Sequence, residues 1–186
     1  MAGFALDLTV IDPDDGLPWD FISPAKQAKA RRMLREQKPY FLIGSPECRM
    51  FSTWQALNNS KNPDKEEIKR AYDAAVEHLN FVVSLYVEQI QGGRCFLHEH
   101  PRHATSWAVE AMEELKKIPG VEFSFGDQCQ YGAEVASGPE KGQPVKKPTG
   151  FLSNSPHVLR SLERRCSGGD GPWACSRSKG GKHVAC

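Results

Sequence analysis

One long amphipathic helix between two short apolar runs constrains the fold of this chain more than any other feature. The helix is predicted to begin at Asn62–Asp64 and to end at Gly92–Gly93, with apolar residues recurring at helical spacing along one face. The apolar run Tyr40–Gly44 precedes it, and the run Arg94–His98 follows it. A strand, a helix and a second strand in this order predict a βαβ unit whose strands are parallel and close together.

The rest of the chain extends this alternation, which predicts an α/β fold with a mostly parallel sheet and helices on both faces. The main domain is expected to span residues 1–154, and residues 155–186 form a short helix followed by an irregular tail. The further predicted elements are strands at Phe4–Ile11 and Val121–Phe125, helices at Pro24–Gln37, Thr105–Ile118 and Ser155–Arg165, and a strand end at Gln128–Gly132. After a polar, Gly/Pro-rich excursion at 133–147, Thr149–Ser153 is a candidate strand that returns as the partner of a hairpin.

Charge and hydropathy restrict the compartment and the partners. The 186 residues carry a formal net charge of +1, although Lys and Arg outnumber Asp and Glu from Lys141 onward. No apolar run is long enough to cross a bilayer, and Met1 begins no secretory signal pattern. The sequence therefore predicts an intracellular protein, nuclear or cytoplasmic and not secreted, with reduced cysteines and no membrane partner.

Two predicted strand ends carry reactive groups. Cys48 follows the first strand of the βαβ unit, and Glu99 follows the second. Because parallel strands end at the same rim of a sheet, both side chains are expected there. A thiolate that attacks and a carboxylic acid that supplies a proton form a recognisable catalytic pair. The alternative is a structural cysteine, since buried free cysteines are common.

Three segments together resemble the motifs of DNA cytosine carbon-5 methyltransferases. Gly44–Ser52 looks like the family's nucleophile motif, in which Pro-Cys is followed by Phe-Ser. Phe96–Pro101 is similar to the motif that carries the acid, with His100 in place of the usual Asn. Gln128–Gly132, with the Lys-Pro-Thr-Gly stretch after it and Asn154, resembles a later segment, most closely in small phage-type or mobile-element-associated members. The resemblance covers residues 40–154, in family order.

The resemblance implies a mechanism and a truncated Rossmann-like methyltransferase sheet. Cys48 would add to carbon 6 of a flipped-out cytosine, and Glu99 would protonate ring nitrogen 3. Carbon 5 would then take a methyl group from S-adenosylmethionine. The implied cofactor contacts are Asp7, Asp20, Ser45 and Pro46, and the implied nucleic-acid contacts are Arg49, Lys146, Lys147 and Thr149.

Several alternatives stay open at this stage. The Gly-rich cofactor loop that opens the family's fold has no counterpart in this sequence, so whether the chain is an enzyme is undecided. A partner chain that supplies the cofactor half is one expectation, and a degenerate copy or fragment is another. The rival function is a non-catalytic nucleic-acid-binding module derived from a mobile element. DNA is the expected partner, and RNA is not excluded.

The C-terminal tail contains a second set of ligand-type residues. Cys166, Cys175, His183 and Cys186 supply three thiols and one imidazole, which suffice for a closed, tetrahedral structural zinc site. Their spacing is loose, although His183 and Cys186 form a compact half-site. The alternative is a disordered basic tail with incidental cysteines.

Overall fold

The long helix and its two flanking strands form the predicted βαβ unit. The computed structural model describes residues 3–52, 64–138 and 141–166. The helices are α1 (Pro24–Gln37), α2 (Lys65–Gln91), α3 (Glu110–Lys117) and α4 (Pro156–Ser161); the strands are β1 (Phe41–Gly44), β2 (Cys95–Pro101), β3 (Glu122–Asp127) and β4 (Pro148–Ser153); short 3-10 turns lie at Arg49–Phe51, Thr105–Ala108 and Gln128–Tyr131.

The start of α2 follows from its first residues. The Asp64 carboxylate accepts a hydrogen bond of 2.8 Å from Glu67 N, which satisfies one of the unpaired amides of the first turn. Glu66 and Glu67 also place negative charge at the positive end of the helix dipole. Because the helix ends at Gly92 and β2 begins three residues later, the chain reverses tightly back onto the sheet.

The four strands are arranged in the order β1-β2-β4-β3. The β1 and β2 strands pair in parallel, whereas β4 runs antiparallel to both β2 and β3. The prediction of a mostly parallel sheet is therefore wrong, and the sheet is mixed. The cause is the link between β3 and β4. A strand that returned parallel to β3 would need a crossover connection, which is usually a helix. The described part of this link contains only a 3-10 turn and an isolated bridge.

The main core lies between one face of the sheet and the helices α2 and α3. Tyr86 of α2 stacks on Phe96 of β2, with ring centroids 4.6 Å apart, and both side chains are fully buried. Met112 and Leu115 of α3 are also buried in this cluster, which gives α3 its single apolar face. The predicted helix at residues 105–118 is divided here into a 3-10 turn and α3.

The N-terminal segment packs on the helices and contributes no strand to the sheet. The predicted strand at Phe4–Ile11 is wrong, because the segment makes only an isolated bridge between Ile11 and Pro18 and a turn at Asp7. Its anchor is Trp19, which is 3 % exposed and packs in a second cluster with residues of α1 and α2. The buried Asp12 carboxylate binds two lysines of α1, at positions 26 and 29.

The opposite face of the sheet is covered only in part. The helix α4 and the residues after it pack on β3 and β4, where the Ser124 hydroxyl donates to Glu163. The outer edge of β1 has no strand beside it among the described residues, and Ile43 is 67 % exposed there. The predicted strand end at Gln128–Gly132 is instead a 3-10 turn. No helix in the described ranges is both long enough and apolar enough to span a membrane.

Candidate active site

The loop after β1 meets the end of β2 at one rim of the sheet. Parallel pairing sets Gly44 opposite His98, so the following residues, Ser45 and Glu99, are also neighbours. The Ser45 hydroxyl donates a hydrogen bond of 2.5 Å to Glu99 Oε2. The loop that leads to Cys48 therefore begins in direct contact with the carboxyl group of Glu99.

The second oxygen of Glu99 has no such contact. Glu99 Oε1 is buried and has no hydrogen-bond partner among the described residues. A buried carboxyl oxygen without a partner is costly, and a hydrogen-bond donor from a ligand removes that cost. The side chain is thus arranged to exchange a hydrogen bond with a molecule at this rim.

His100 binds the loop that leads to Cys48. Its Nε2 lies 2.9 Å from Pro46 O, and its Nδ1 lies 2.7 Å from the Ser106 hydroxyl. Because a carbonyl oxygen can only accept, Nε2 carries the proton, and Nδ1 accepts from Ser106. Burial lowers the pKa of His100, although the Pro46 carbonyl and Glu99 partly oppose this shift. The neutral imidazole therefore connects the loop, β2 and the turn that precedes α3.

A second buried histidine supports the strands underneath. His98 Nδ1 lies 3.0 Å from the Tyr86 hydroxyl, and both side chains are fully buried. Burial raises the pKa of Tyr86 and lowers that of His98, so both groups are neutral. A Cβ atom at Gly44 would overlap the Tyr86 hydroxyl. Only glycine fits at the point where β1 passes this pair.

Cys48 lies at the start of a short turn that is fixed by its last residue. The turn comprises Arg49–Phe51, and Cys48 O accepts a hydrogen bond of 3.0 Å from Phe51 N. The Phe51 ring is 1 % exposed and packs against Tyr72 and His100. Cys48 is half-buried and Arg49 is exposed, so a thiol and a cation follow one another along the rim.

Two acidic residues face the same histidine of α2. Burial lowers the pKa of His78, while Asp20 and Glu47 both act in the opposite direction. Both carboxylates therefore favour the protonated form of the same imidazole. The Asp20 carboxylate also accepts a hydrogen bond from Ile22 N.

The residues before β4 place further polar groups at the carboxyl end of β3. Lys146 lies 3.9 Å from the Asp127 carboxylate. Lys147 acts on His100 and lowers the pKa of that imidazole, which places its charge near the Cys48 loop. Thr149 is fully buried, and its hydroxyl donates to Lys147 O and accepts from Gln128. Thr149 therefore holds the strand by contacts within the chain.

The implied cofactor contacts do not form a cradle for S-adenosylmethionine. The Asp7 carboxylate accepts from both Thr9 N and Thr9 Oγ1 within its own exposed turn. The Ser45 hydroxyl is bound to Glu99, and Pro46 O is bound to His100. Because these atoms bond within the chain, they are not arranged as a preformed cradle, and the cofactor site stays a prediction.

The zinc prediction lies mostly outside the described residues. Cys166 is described and is half-buried, and its backbone amide donates a hydrogen bond of 2.7 Å to Asp127 Oδ2. Cys175, His183 and Cys186 are outside the described ranges. Within residues 3–52, 64–138 and 141–166, no group of three or more His, Cys, Asp or Glu residues is arranged to hold a metal ion. The zinc site stays a prediction.

Two features of the site were missed in the sequence. The alternation of His98 and His100 in β2 was a usable signal, since residues two apart share one face of a strand and both imidazoles are buried. The second feature is a pair of arginines, Arg102 and Arg165, which both contact the Phe125 ring. Their separation in sequence left no signal of this contact.

The fold and the site together define a mixed α/β domain with a thiol, a carboxyl group and several cations at one rim. Comparisons with family models, with curated proteins and with solved structures found no match to this chain.

Proposed function

We propose that this chain handles the base in a reaction of the DNA cytosine carbon-5 methyltransferase type. The proposal is carried by one observation, the contact of the Cys48 loop with Glu99 through Ser45 at the ends of two parallel strands. The resemblance of the two motifs to that family adds the identity of the base. Lys147 and Arg49 supply positive charge beside the pair, which suits a nucleic acid substrate.

Each of the two groups has a defined task in this proposal. The Cys48 thiolate forms a bond to carbon 6 of a cytosine that has left the base stack, and Glu99 gives a proton to ring nitrogen 3. The electron pair displaced from the ring then resides at carbon 5 as part of an enamine. Carbon 5 becomes nucleophilic and takes an electrophile. A solvent base then removes the carbon 5 proton, the electrons of that bond expel the Cys48 thiolate, and nitrogen 3 returns its proton to Glu99, which restores the ring.

His100 acts as a positioning residue in the same proposal. Because its Nε2–H group is bonded to Pro46 O, the peptide two residues before Cys48 is held against β2. The Asn that the resembled motif has at this position is replaced by a side chain that also reaches Ser106. The neutral, buried contacts of His100 therefore help to fix the position of the Cys48 loop relative to Glu99.

We propose that a second chain binds the methyl donor, because Asp7, Ser45 and Pro46 already bond within this chain. The outer edge of β1 has no strand beside it among the described residues, and an edge of this kind can accept a further strand. Tyr40 and Ile43 are exposed beside that edge.

A covalent trapping experiment tests the proposal. DNA that contains 2-pyrimidinone in place of cytosine has a more electrophilic carbon 6, so thiolate addition alone gives an adduct that survives denaturing electrophoresis. DNA that contains 5-fluorocytosine, incubated with S-adenosylmethionine, gives a lasting adduct only after methyl transfer. Wild-type protein, Cys48→Ala and the matched control Cys95→Ser are compared on both substrates.

The outcomes separate the functions. An adduct on 2-pyrimidinone that requires Cys48 supports the base-handling proposal, and an adduct on 5-fluorocytosine extends it to complete methyl transfer. No adduct on either substrate, with salt-dependent DNA binding that survives Cys48→Ala, contradicts the enzymatic proposal and favours the non-catalytic nucleic-acid-binding module.

A further inference from the structure

The strongest unexplained feature of the rim is an aromatic ring that contacts two guanidinium groups. The Arg102 guanidinium carbon lies 3.3 Å from the centre of the Phe125 ring, and that of Arg165 lies 2.7 Å from it. The two positive charges are therefore held close together against the same ring. Cation–π attraction favours each contact, but it does not remove the repulsion between the two charges.

Neither guanidinium is neutralised by a direct partner. Within the described residues, neither Arg102 nor Arg165 makes a side-chain hydrogen bond or an ion pair. Burial and the charge of Arg102 lower the pKa of Arg165, while the charges of Asp127 and Glu163 oppose this shift. Both arginines are exposed, so a ligand can reach them.

The backbone holds both arginines in place. Arg102 directly follows β2, and its amide donates a hydrogen bond of 3.0 Å to Pro148 O. On the other side, Asp127 bonds to the residues before and after Arg165: its amide donates to Arg164 O, and its carboxylate accepts from Cys166 N. The pair is therefore organised before any ligand arrives, and the entropy cost of binding is reduced.

We propose that Arg102 and Arg165 together bind one phosphate group of the DNA strand that carries the target cytosine. A guanidinium presents two parallel N–H groups to phosphate oxygens, and here two guanidinium groups lie against the same ring. The edge of that ring carries positive partial charge, which also suits an oxyanion. Because β1, β2 and β3 end at the same rim, this phosphate lies on the side of the sheet that holds Cys48 and Glu99. The inference rests on the proposed function for the identity of the strand.

The test measures the binding of a labelled DNA duplex by fluorescence anisotropy over a series of chloride concentrations. Each neutralised phosphate contributes about 0.9 to the slope of log affinity against log salt. Arg102→Ala, Arg165→Ala and the double variant are each expected to lower the slope by about 0.9, because one phosphate is shared. The double variant Arg32→Ala with Lys117→Ala removes two exposed charges from elements that lead into the opposite rim, and its slope should not change.

Other results overturn the inference. An unchanged slope for the arginine double variant contradicts it, and so does an equal fall for the control. A fall twice as large in the double variant as in each single variant means two separate phosphates and also contradicts the shared site. Where an alanine variant fails a thermal unfolding check, Arg102→Lys with Arg165→Lys is used: it should keep the slope but weaken binding, because lysine lacks the planar fork.

Failure of the proposed function can be distinguished from failure of this site. If wild-type protein binds no DNA, the proposed substrate is wrong, and inorganic phosphate becomes the probe. Titration of phosphate, followed by the NMR signals of the arginine Nε–H groups, should then shift the signals of Arg102 and Arg165 in wild-type protein. No shift overturns the phosphate site itself.

Discussion

Replacement of His100 separates the role of the imidazole in stability from its role in holding the Cys48 loop. Glutamine can keep the donor that reaches Pro46 O, and asparagine can keep the acceptor near Ser106, whereas phenylalanine keeps neither. A lost hydrogen bond that leaves a buried group unpaired costs about 1–3 kcal/mol. We expect the glutamine and asparagine variants to lose about 1 kcal/mol of unfolding free energy each, and the phenylalanine variant about 2–4 kcal/mol.

The loop should respond differently from the fold. Release of the Pro46 contact makes loop opening easier by about 1 kcal/mol, which corresponds to about a fivefold increase in the alkylation rate of Cys48. Peptide-resolved mass spectrometry measures this rate with iodoacetamide, and Cys95, at the amino end of β2, serves as the internal reference. Urea unfolding supplies the free energies.

The expected pattern is specific to the donor. His100→Asn and His100→Phe should raise the alkylation rate of Cys48, and His100→Gln should leave it near the wild-type rate. Equal rates in the glutamine and asparagine variants would show that the contact with Pro46 O does not control the loop. Equal unfolding free energies in all four proteins would show that neither hydrogen bond stabilises the fold.

Three further predictions concern the same rim. Gly44→Ala should cost about 1–3 kcal/mol in urea unfolding, because its methyl group overlaps the Tyr86 hydroxyl, and a wild-type midpoint would contradict this. Burial lowers the pKa of both His98 and His100 below 6.5, so below that pH the unfolded chain binds protons that the folded chain does not. The unfolding free energy should therefore fall between pH 7 and 5.5, by up to about 1.4 kcal/mol per pH unit for each imidazole, and a flat profile would refute this. Glu47→Gln removes a negative charge next to the Cys48 thiol, and at roughly 6 Å in water this charge is worth about 0.7 kcal/mol. The alkylation of Cys48 should therefore be about threefold faster in this variant. An unchanged rate would mean that the Glu47 carboxylate has no influence on the thiol.

The sequence predicted the parts of this fold that depend on local pattern. The long helix α2 was predicted from its apolar face, its acidic first turn and the glycines that follow it. The strands β1 and β2 were predicted from the apolar runs on both sides of that helix. The pairing of those strands follows from the handedness of βαβ units. The antiparallel return of β4 was also indicated, because the link at 128–147 has no helical pattern for a crossover and therefore favours a hairpin.

The misplaced strand at Phe4–Ile11 shows the limit of local pattern. Alternating apolar residues are typical of a strand, but they also suit an extended segment that packs across helices. Only tertiary contacts decide between a strand and such a segment. Here Trp19 and the buried Asp12 bind the segment to α1. For the site, motif order placed Cys48 and Glu99 at the same rim, but the contacts of His100 and the arginine pair depend on side-chain geometry that one sequence does not reveal.

Hydrogen exchange at cytosine carbon 5 tests the central claim most directly, because it requires thiolate addition and no methyl donor. Addition at carbon 6 lets carbon 5 take a proton from water, so DNA labelled with tritium at that carbon should release the label when the thiolate leaves. We expect release with wild-type protein and with Cys95→Ser, and only background release with Cys48→Ala or Glu99→Gln. Background release with correctly folded wild-type protein bound to the DNA, or continued release with Cys48→Ala, would contradict the account.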